Sequence, residues 1–344
     1  MKVLHLLQSD RFSGAENVVC QIINMFRNDT DIEMVYCSSD GQIREALRER
    51  DIKFIPLKGF SVNEVKRAIK DEKPDLIHAH DMRASFLVAL VCGKIPLVSH
   101  IHNNSFDSRK LSVKAVLYRI AAKKAKHIFW VSNSAFEGYY YHKKIADKSS
   151  VLYNVIDVEQ VRKKAEEAEN QDAYDVVYVG RLTYPKNPER LISVLEKAIA
   201  IAPNLQAAII GNGDLEDQVK GLIKQKGLEK NIHCLGFMNN PCGLLKNAKV
   251  MIMTSRWEGT PMCALEAMAL GVPIVSTPTD GLRDLVKDGR TGYLSNEDDS
   301  LASDLVSLIR DDSSQKAFSC TIFECAKRIN DVDRYKQKLK AQYE

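Results

Sequence analysis

Two carboxylates, Glu258 and Glu266, frame the start of an apolar segment in the second half of the chain. Thr260 is a good N-cap and Pro261 suits a first helical position, so we predict a helix that ends near Leu270. The free amides at such a start, with the helix dipole behind them, attract a phosphate. The pattern fits a ligand that carries phosphate and hydroxyl groups, and equally an ordinary capped helix with solvated glutamates.

Two cations, Arg181 and Lys186, occupy a loop that follows the apolar strand predicted at 175–179. Cations at a strand end can clamp a diphosphate, and each charge-assisted bond contributes about 1.5–3 kcal/mol when partly desolvated. Surface salt bridging is the alternative that spacing alone leaves open.

These motifs together resemble those of one enzyme family. Glu258 and Glu266, followed by Ala-Met-Ala-x-Gly-x-Pro, resemble the Glu-x7-Glu signature of family 4 glycosyltransferases, and Gly-Arg-Leu-x3-Lys ending at Lys186 resembles the donor-phosphate motif of that family. Many members have glycine where Pro261 stands. The resemblance implies a retaining, metal-independent transfer of a hexosyl or N-acetylhexosaminyl group from a nucleoside-diphosphate sugar, a UDP-sugar above all, to an acceptor hydroxyl. The departing phosphate oxygen would itself take the acceptor proton.

The resemblance also assigns roles to residues. Glu258 would bind the sugar hydroxyls, Glu266 the ribose, and His102 the transferred sugar; Glu258 and His102 are the expected catalytic residues. The expected donor-binding residues are Gly14, Arg181, Lys186, Gly211, Gly213, Phe237, Met262, Cys263 and Glu266. The turn at Gly14 resembles the family's Gly-Gly-x-Glu turn, with serine in place of the first glycine.

No metal or cofactor is expected. His100 and His102 are spaced as metal ligands can be, but no third ligand accompanies them at a convincing spacing. Neither Asp-x-Asp pair, at Asp29 or at Asp331, follows a strand as a metal–diphosphate site requires. The charge of the leaving diphosphate would then be met by the two cations and the helix start, a metal-free form of electrostatic catalysis.

The elements that must position these residues alternate regularly between strands and helices. Short apolar runs at 3–7, 34–37, 52–55, 76–79, 96–99 and 127–131 alternate with helical patterns near 14–27, 42–50, 62–72, 82–92, 110–125 and 134–145. That rhythm predicts an α/β chain with parallel, doubly wound sheets, and the polar stretch 157–174 is the predicted domain boundary.

The resemblance makes this the GT-B fold: two Rossmann-like domains facing across a cleft, with the C-terminal helix returning to the first. The expected bounds are 1–160 with 328–344 for the acceptor domain, and 171–327 for the nucleotide-sugar domain.

The composition excludes several classes of protein. The chain has 344 residues, 45% of them hydrophobic and 27% charged, which is typical of a globular protein of two domains. Eight cysteines without a Cys-x-x-Cys pair predict reduced thiols, and a net charge of +4 does not favour nucleic acid as a partner. No apolar run is long enough to span a membrane, so the expected location is the cytoplasm.

Residues 108–136 hold seven basic residues and no acid, interleaved with apolar ones. One interpretation is a basic amphipathic helix that rests on anionic lipid at the inner face of the cell membrane. The other is a solvated helix whose apolar side covers the sheet. The candidate lipid-binding residues are Lys114, Arg119, Lys123, Lys124 and Lys126. A membrane position would suit a lipid-linked or cell-surface glycan acceptor, as in capsule, O-antigen or exopolysaccharide assembly.

Two alternatives remain open. A nucleotide-sugar 2-epimerase shares the two-domain architecture but should lack the pair of motifs at these spacings. A catalytically silent partner subunit would keep the fold and bind sugar or protein; loss of a motif residue would favour it, and none is lost.

Overall fold

The chain folds into two compact units. A computed structural model describes residues 1–102 and 106–344, with the backbone alone for 106, 280 and 312–317. The first unit comprises Met1–Asn154 and Val332–Glu344, and the second comprises Val155–Asp331. The domain bounds given above stay a prediction. Within the polar stretch 157–174, however, lies a helix whose buried residues recur at helical spacing: Val158, Val161 and Ala165. The helical spacing of these apolar residues predicts the helix, but the many charged residues around them led us to interpret the stretch as a boundary.

The first unit is built on a parallel sheet in the order β3-β2-β1-β4-β5-β6-β7. Its strands are β1 (Lys2–Leu6), β2 (Glu33–Ser39), β3 (Phe54–Leu57), β4 (Leu76–His80), β5 (Leu97–Ile101), β6 (His127–Trp130) and β7 (Ser149–Val151). The strand order reverses between β1 and β4, which is the point where ligands bind in open α/β sheets. Of these strands only β7 escaped the sequence prediction, because it has three residues, two of them serines, and none is buried.

Helices cover both faces of this sheet. They are α1 (Gly14–Met25), α2 (Ile43–Glu49), α3 (Val62–Glu72), α4 (Asp81–Val91), α5 (Val113–Lys124) and α6 (Asn133–Glu137). The helix predicted at 134–145 is wrong beyond Glu137: Gly138 ends α6, and two short 3-10 turns follow. Tyr139 instead enters the core, where its hydroxyl donates to the Ala115 carbonyl at 2.8 Å.

The second unit repeats the plan with a sheet in the order β10-β9-β8-β11-β12-β13, again parallel throughout. Its strands are β8 (Val176–Val179), β9 (Ala207–Ile210), β10 (Ile232–Gly236), β11 (Val250–Met253), β12 (Ile274–Ser276) and β13 (Gly292–Leu294). Its helices are α7 (Val158–Glu166), α8 (Pro188–Ile201), α9 (Glu216–Gln225), α10 (Cys242–Lys246), α11 (Met262–Ala269), α12 (Asp280–Leu285), α13 (Asp298–Arg310) and α14 (Asp312–Ile329).

The C-terminal helix α15 (Val332–Tyr343) belongs to the first unit, as predicted. Tyr343 is buried beside Phe26 of that unit, with ring centroids 5.8 Å apart, and its hydroxyl lies 2.9 Å from His78 Nδ1. These contacts hold the end of the chain on the first sheet.

Parallel strands bring their carboxyl ends to one edge of a sheet, so the loops that follow them are neighbours. In the second unit the strand order reverses between β8 and β11. The loops 180–187 and 254–261 therefore lie side by side, and they carry the cations and carboxylates that the sequence singled out.

Candidate functional site

Lys186 and Glu258 form the centre of this loop pair. Lys186 Nζ donates to Glu258 Oε1 at 2.6 Å, and Ser255 Oγ donates to the same oxygen at 2.5 Å. Both charged side chains are largely buried, with 18% and 8% of their surfaces exposed. The backbone reinforces the pair, because the Arg256 amide donates to the Pro185 carbonyl at 2.8 Å. The sequence placed both charges in one site but did not predict that they bind each other, and Ser255 was missed.

Around the Lys186–Glu258 pair, positive side chains outnumber negative ones. Burial lowers the pKa of Lys186, but the charge of Glu258, the nearby Cys263 and the hydrogen bond to Glu258 together raise it by more. The pKa therefore lies above the ordinary value and the ammonium stays charged. The nearby charge of Arg181 acts the other way on that pKa. Arg181 is exposed, and its guanidinium makes no hydrogen bond or ion pair with any residue that the structure describes. One cation is thus left for an anionic ligand.

Helix α11 begins one residue later than the sequence predicted. Pro261 is the N-cap, in extended conformation, and Met262 is the first helical residue, so the assignment of Thr260 as N-cap is wrong. Pro261 has no side-chain donor or acceptor and cannot cap the helix itself. Its carbonyl accepts from the Ala264 amide at 3.2 Å. The amides of Met262 and Cys263 have no preceding helical turn whose carbonyls could accept from them, so they point out of the start of the helix.

Glu266 is the one acidic residue of α11. Its side chain is half-buried, and burial raises the pKa of the carboxyl to about 7, although the charge of Lys164 on α7 lowers it. Among the described residues none gives this carboxylate a hydrogen bond or an ion pair. A buried carboxylate is destabilised until something donates to it, so Glu266 has unused capacity to accept hydrogen bonds.

Gly211 and Gly213, after β9, serve the loop packing. Their φ angles are +136° and +159°, and a Cβ at either would overlap the carbonyl oxygen of Gly180 or Leu182 respectively. The family resemblance assigns both glycines to donor binding, which stays a prediction; the structure shows that they permit close approach of the loop after β8. Phe237, after β10, is 59% exposed, an unusual position for a large apolar ring.

Gly14 is the exposed first residue of α1 in the first unit. Its φ is not in the left-handed region, and a Cβ there would meet nothing within 4 Å. The fold of the first unit therefore does not require glycine at this position.

His102 follows β5 in a group that we name the histidine cluster: His5, His78, His80, His100 and His102. Neighbouring ring centroids are 4.3–5.6 Å apart on one face of the first sheet. All but His102 are fully buried, and burial lowers the pKa of every member below its ordinary value. A second His-x-His on β4 was the signal in the sequence that we did not use.

The histidine cluster contains two groups of three rings that could act together as metal ligands. His80 stands with His100 and His102 so that one nitrogen from each lies within 4.8 Å of the others, and His5, His78 and His80 do the same. The statement that no third ligand accompanies His100 and His102 is therefore wrong, because β4 supplies it across the sheet. That no metal is needed stays a prediction.

Helix α5 has an apolar outer face as well as a buried one. Ala115, Tyr118 and Ala121 face the core, whereas Val113 is 76% and Ile120 48% exposed. One side of the helix thus covers the sheet, as the second interpretation expected, and the other side presents apolar residues to solvent; that this side rests on lipid stays a prediction.

The five candidate lipid-binding cations differ in their surroundings. Lys114, Lys123 and Lys124 are exposed. Arg119 lies over the ring of Tyr141 at 4.8 Å, and Lys126 donates to the Gln342 carbonyl at 3.0 Å. The last two are therefore held by the first unit itself. Through the described part of the chain, no helix is both long and apolar enough to cross a bilayer.

Comparison with known families gives the class of protein. The sequence model described as Glycosyl transferases group 1 matches residues 159–321, and that described as Glycosyltransferase Family 4 matches residues 12–160. Together they cover residues 12–321. The chain belongs to the family 4 (group 1) glycosyltransferases.

Individual relatives are distant. An uncharacterised glycosyltransferase of Methanocaldococcus jannaschii, MJ1059, is 27% identical over 62% of this chain, and the chain spans only 58% of its length. The UDP-Gal:alpha-D-GlcNAc-diphosphoundecaprenol alpha-1,3-galactosyltransferase of Escherichia coli is 25% identical over 90% of this chain and 88% of its own. The crystal structure of Anabaena Alr3699/HepE in complex with UDP-glucose has a TM-score of 0.86 over 99% of this chain and 98% of that one, at 22% identity. The fold is GT-B, as predicted.

Proposed function

We propose that this chain is a retaining glycosyltransferase that moves a hexosyl or N-acetylhexosaminyl group from a UDP-sugar to an acceptor hydroxyl. The observation that carries the proposal is the arrangement of four charged side chains at the carboxyl edge of the second sheet. There a buried Lys186–Glu258 pair lies near the start of α11, together with Arg181 and Glu266, for which the described residues provide no side-chain partner.

The diphosphate binds to the positive part of this edge. Arg181 supplies a cation that no described residue pairs with, and Lys186 supplies one that it shares with Glu258. The amides of Met262 and Cys263 supply donors at the positive end of a helix dipole. As the sugar–oxygen bond breaks, negative charge develops on the leaving phosphate, and fixed donors stabilise that charge. These groups suffice for a metal-independent reaction, which is how we propose that it proceeds.

The nucleoside binds to the other residues of the edge. Glu266 accepts hydrogen bonds from the ribose hydroxyls, which compensates for the burial of its carboxylate. Phe237 offers an exposed ring beside the site of the base. The donor of the E. coli relative is named as UDP-galactose, and HepE was crystallised with UDP-glucose, so UDP is the nucleotide that we propose.

The transferred sugar is held by Glu258, and His102 is the residue of the first unit that we assign to it. The bond from the anomeric carbon to the phosphate oxygen breaks as the acceptor oxygen bonds to that carbon. The proton of the acceptor passes to the departing phosphate oxygen, so the reaction needs no protein base. Because the acceptor then lies on the same face of the sugar as the leaving phosphate, the new bond retains the anomeric configuration.

We place the acceptor at a membrane. The outer face of α5 has apolar residues flanked by the exposed Lys123 and Lys124, whose charges complement anionic lipid. The E. coli relative is named for an acceptor linked to diphosphoundecaprenol. We therefore propose a lipid-linked or cell-surface glycan precursor as the acceptor, and a cytoplasmic protein that is peripheral to the membrane.

Flotation with anionic liposomes tests the membrane assignment. Ile120→Ser with Lys123→Glu and Lys124→Glu should abolish flotation. Lys126→Glu, whose side chain is held by the first unit, should have a smaller effect. Equal flotation of all variants, or none of the unaltered protein, contradicts the proposal.

Slow donor hydrolysis, with water as acceptor, tests the activity without the natural acceptor. We expect UDP release and, by NMR at early times, a free sugar with the anomeric configuration of the donor. A bound donor that is never cleaved would favour a silent subunit, and a sugar inverted at carbon 2 would favour a 2-epimerase.

A further inference from the structure

Three members of the histidine cluster are linked by hydrogen bonds. His102 Nε2 lies 2.8 Å from His80 Nδ1, and His5 Nδ1 lies 3.0 Å from His80 Nε2. The three rings come from β1, from the end of β4 and from the residue after β5, so neighbouring strands place them in a row. Burial lowers the pKa of His5 and of His102 to about 3 and that of His80 well below the ordinary value, so all three rings are neutral at pH 7.

A neutral imidazole has one N–H and one lone pair. His80 uses both of its nitrogens, so it must donate in one bond and accept in the other. If His80 Nδ1–H donates to His102 Nε2, then His80 Nε2 accepts from His5 Nδ1–H. If His102 Nε2–H donates to His80 Nδ1, then His80 Nε2–H donates to His5 Nδ1.

Only these two proton arrangements satisfy both bonds. In the first, all three rings carry hydrogen on Nδ1; in the second, all three carry it on Nε2. The tautomers of the three rings are thus one shared property. The outer nitrogens, His102 Nδ1 and His5 Nε2, are buried, and no residue that the structure describes gives either one a hydrogen bond. Each arrangement leaves one unpaired N–H, at His102 in the first and at His5 in the second.

We propose that His80 and His5 are positioning residues, which couple the tautomer of His102 to their own, so that His102 Nδ1 is a donor only when all three rings carry hydrogen on Nδ1. The inference rests on the proposed function for its consequence, since His102 is the residue assigned to the transferred sugar. A hydrogen bond made at His102 Nδ1 selects one arrangement and moves the protons of all three rings together. Within the described part of the chain, the neighbouring His100 makes no hydrogen bond at either ring nitrogen, so it is not part of this chain of bonds.

The first test is NMR of the full-length protein labelled with 15N at histidine. We expect the three rings to be neutral at pH 7, to share one tautomer, and to show scalar coupling across both N–H···N bonds. Three rings that adopt different tautomers, a charged ring, or the absence of either coupling would overturn the proposal. No substrate is needed, so this result stands apart from the proposed function.

The second test compares His80→Phe with His100→Phe, two fully buried histidines of the same cluster on neighbouring strands. His80→Phe should lose both couplings and slow donor hydrolysis about tenfold or more, while UDP affinity, which depends on the second unit, stays within about twofold. His100→Phe should keep the couplings and the rate. Equal rates in the two variants would contradict the role of His80. If neither the unaltered protein nor a variant cleaves any UDP-sugar, the proposed function has failed, and the couplings alone decide on the shared tautomer.

Discussion

Replacing Glu266 with glutamine is expected to remove a pH dependence of donor binding. Burial raises the pKa of this carboxyl to about 7 in the free protein. Ribose hydroxyls that donate to it favour the ionised form, so bound donor lowers the pKa. Binding then requires the ionised fraction, which rises from about 9% at pH 6 to about 91% at pH 8 for a pKa of about 7. Affinity should therefore be about tenfold higher at pH 8, or about 1.4 kcal/mol.

Calorimetric titration at both pH values measures this directly. The ligand should be a UDP-sugar, because its diphosphate carries no proton that titrates in this window, whereas free UDP does. The tightest binder among UDP-glucose, UDP-galactose and UDP-N-acetylglucosamine is suitable. Glu266→Gln keeps the shape of the side chain but cannot ionise, so its affinity should be low and independent of pH. A flat profile for the unaltered protein, or the same slope in both proteins, would refute the assignment of Glu266 to the ribose.

Three further predictions concern stability and charge. Glu266→Gln should raise the free energy of unfolding at pH 8 by about 1–3 kcal/mol and leave it unchanged at pH 4. Because the pKa of Glu266 is higher in the folded than in the unfolded protein, ionisation of the native carboxyl lowers stability as the pH rises between the two pKa values. Equal effects at both pH values would contradict this. Lys186→Met leaves Glu258 buried without its counter-ion and should lower the free energy of unfolding by about 2–4 kcal/mol, whereas Arg181→Met, at an exposed position, should change it by less than about 0.5 kcal/mol. Urea unfolding measures both, and equal losses would argue against the buried pair. Gly213→Ala should cost about 2 kcal/mol or more, because its Cβ would overlap a carbonyl of the loop after β8; thermal unfolding that matches the unaltered protein would show that the loops do not pack as described.

The sequence predicted the fold well because parallel strands buried on both faces are continuous apolar runs. The runs at 76–79 and 127–131 match β4 and β6 to within a residue. Short or polar elements were missed, since periodicity needs length: β7 has three residues, and α7 was concealed in a charged stretch. Gly138 ended a helix that the apolar pattern alone would have continued.

The candidate site was predictable only as a set of positions. The motifs predicted that Arg181, Lys186, Glu258 and Glu266 belong to one site. Their spacing in the sequence does not predict which of these charges form ion pairs. The ion pair of Lys186 with Glu258, and the lack of any partner for Glu266 among the described residues, depend on side-chain geometry. The histidine cluster was missed for another reason: its members are separated by up to 97 positions and meet only through strand order.

The central claim is that the loops after β8 and β11 form a donor site for a UDP-sugar. Saturation-transfer NMR of the protein against UDP-, GDP- and ADP-sugars tests it without an acceptor. Arg181→Ala removes an exposed cation without a partner in the described structure, and Arg290→Ala removes an exposed cation elsewhere in the same unit. We predict transfer to a UDP-sugar that Arg181→Ala weakens about tenfold or more and Arg290→Ala leaves intact. No transfer to any UDP-sugar from folded protein, or equal signals from both variants, would contradict the account.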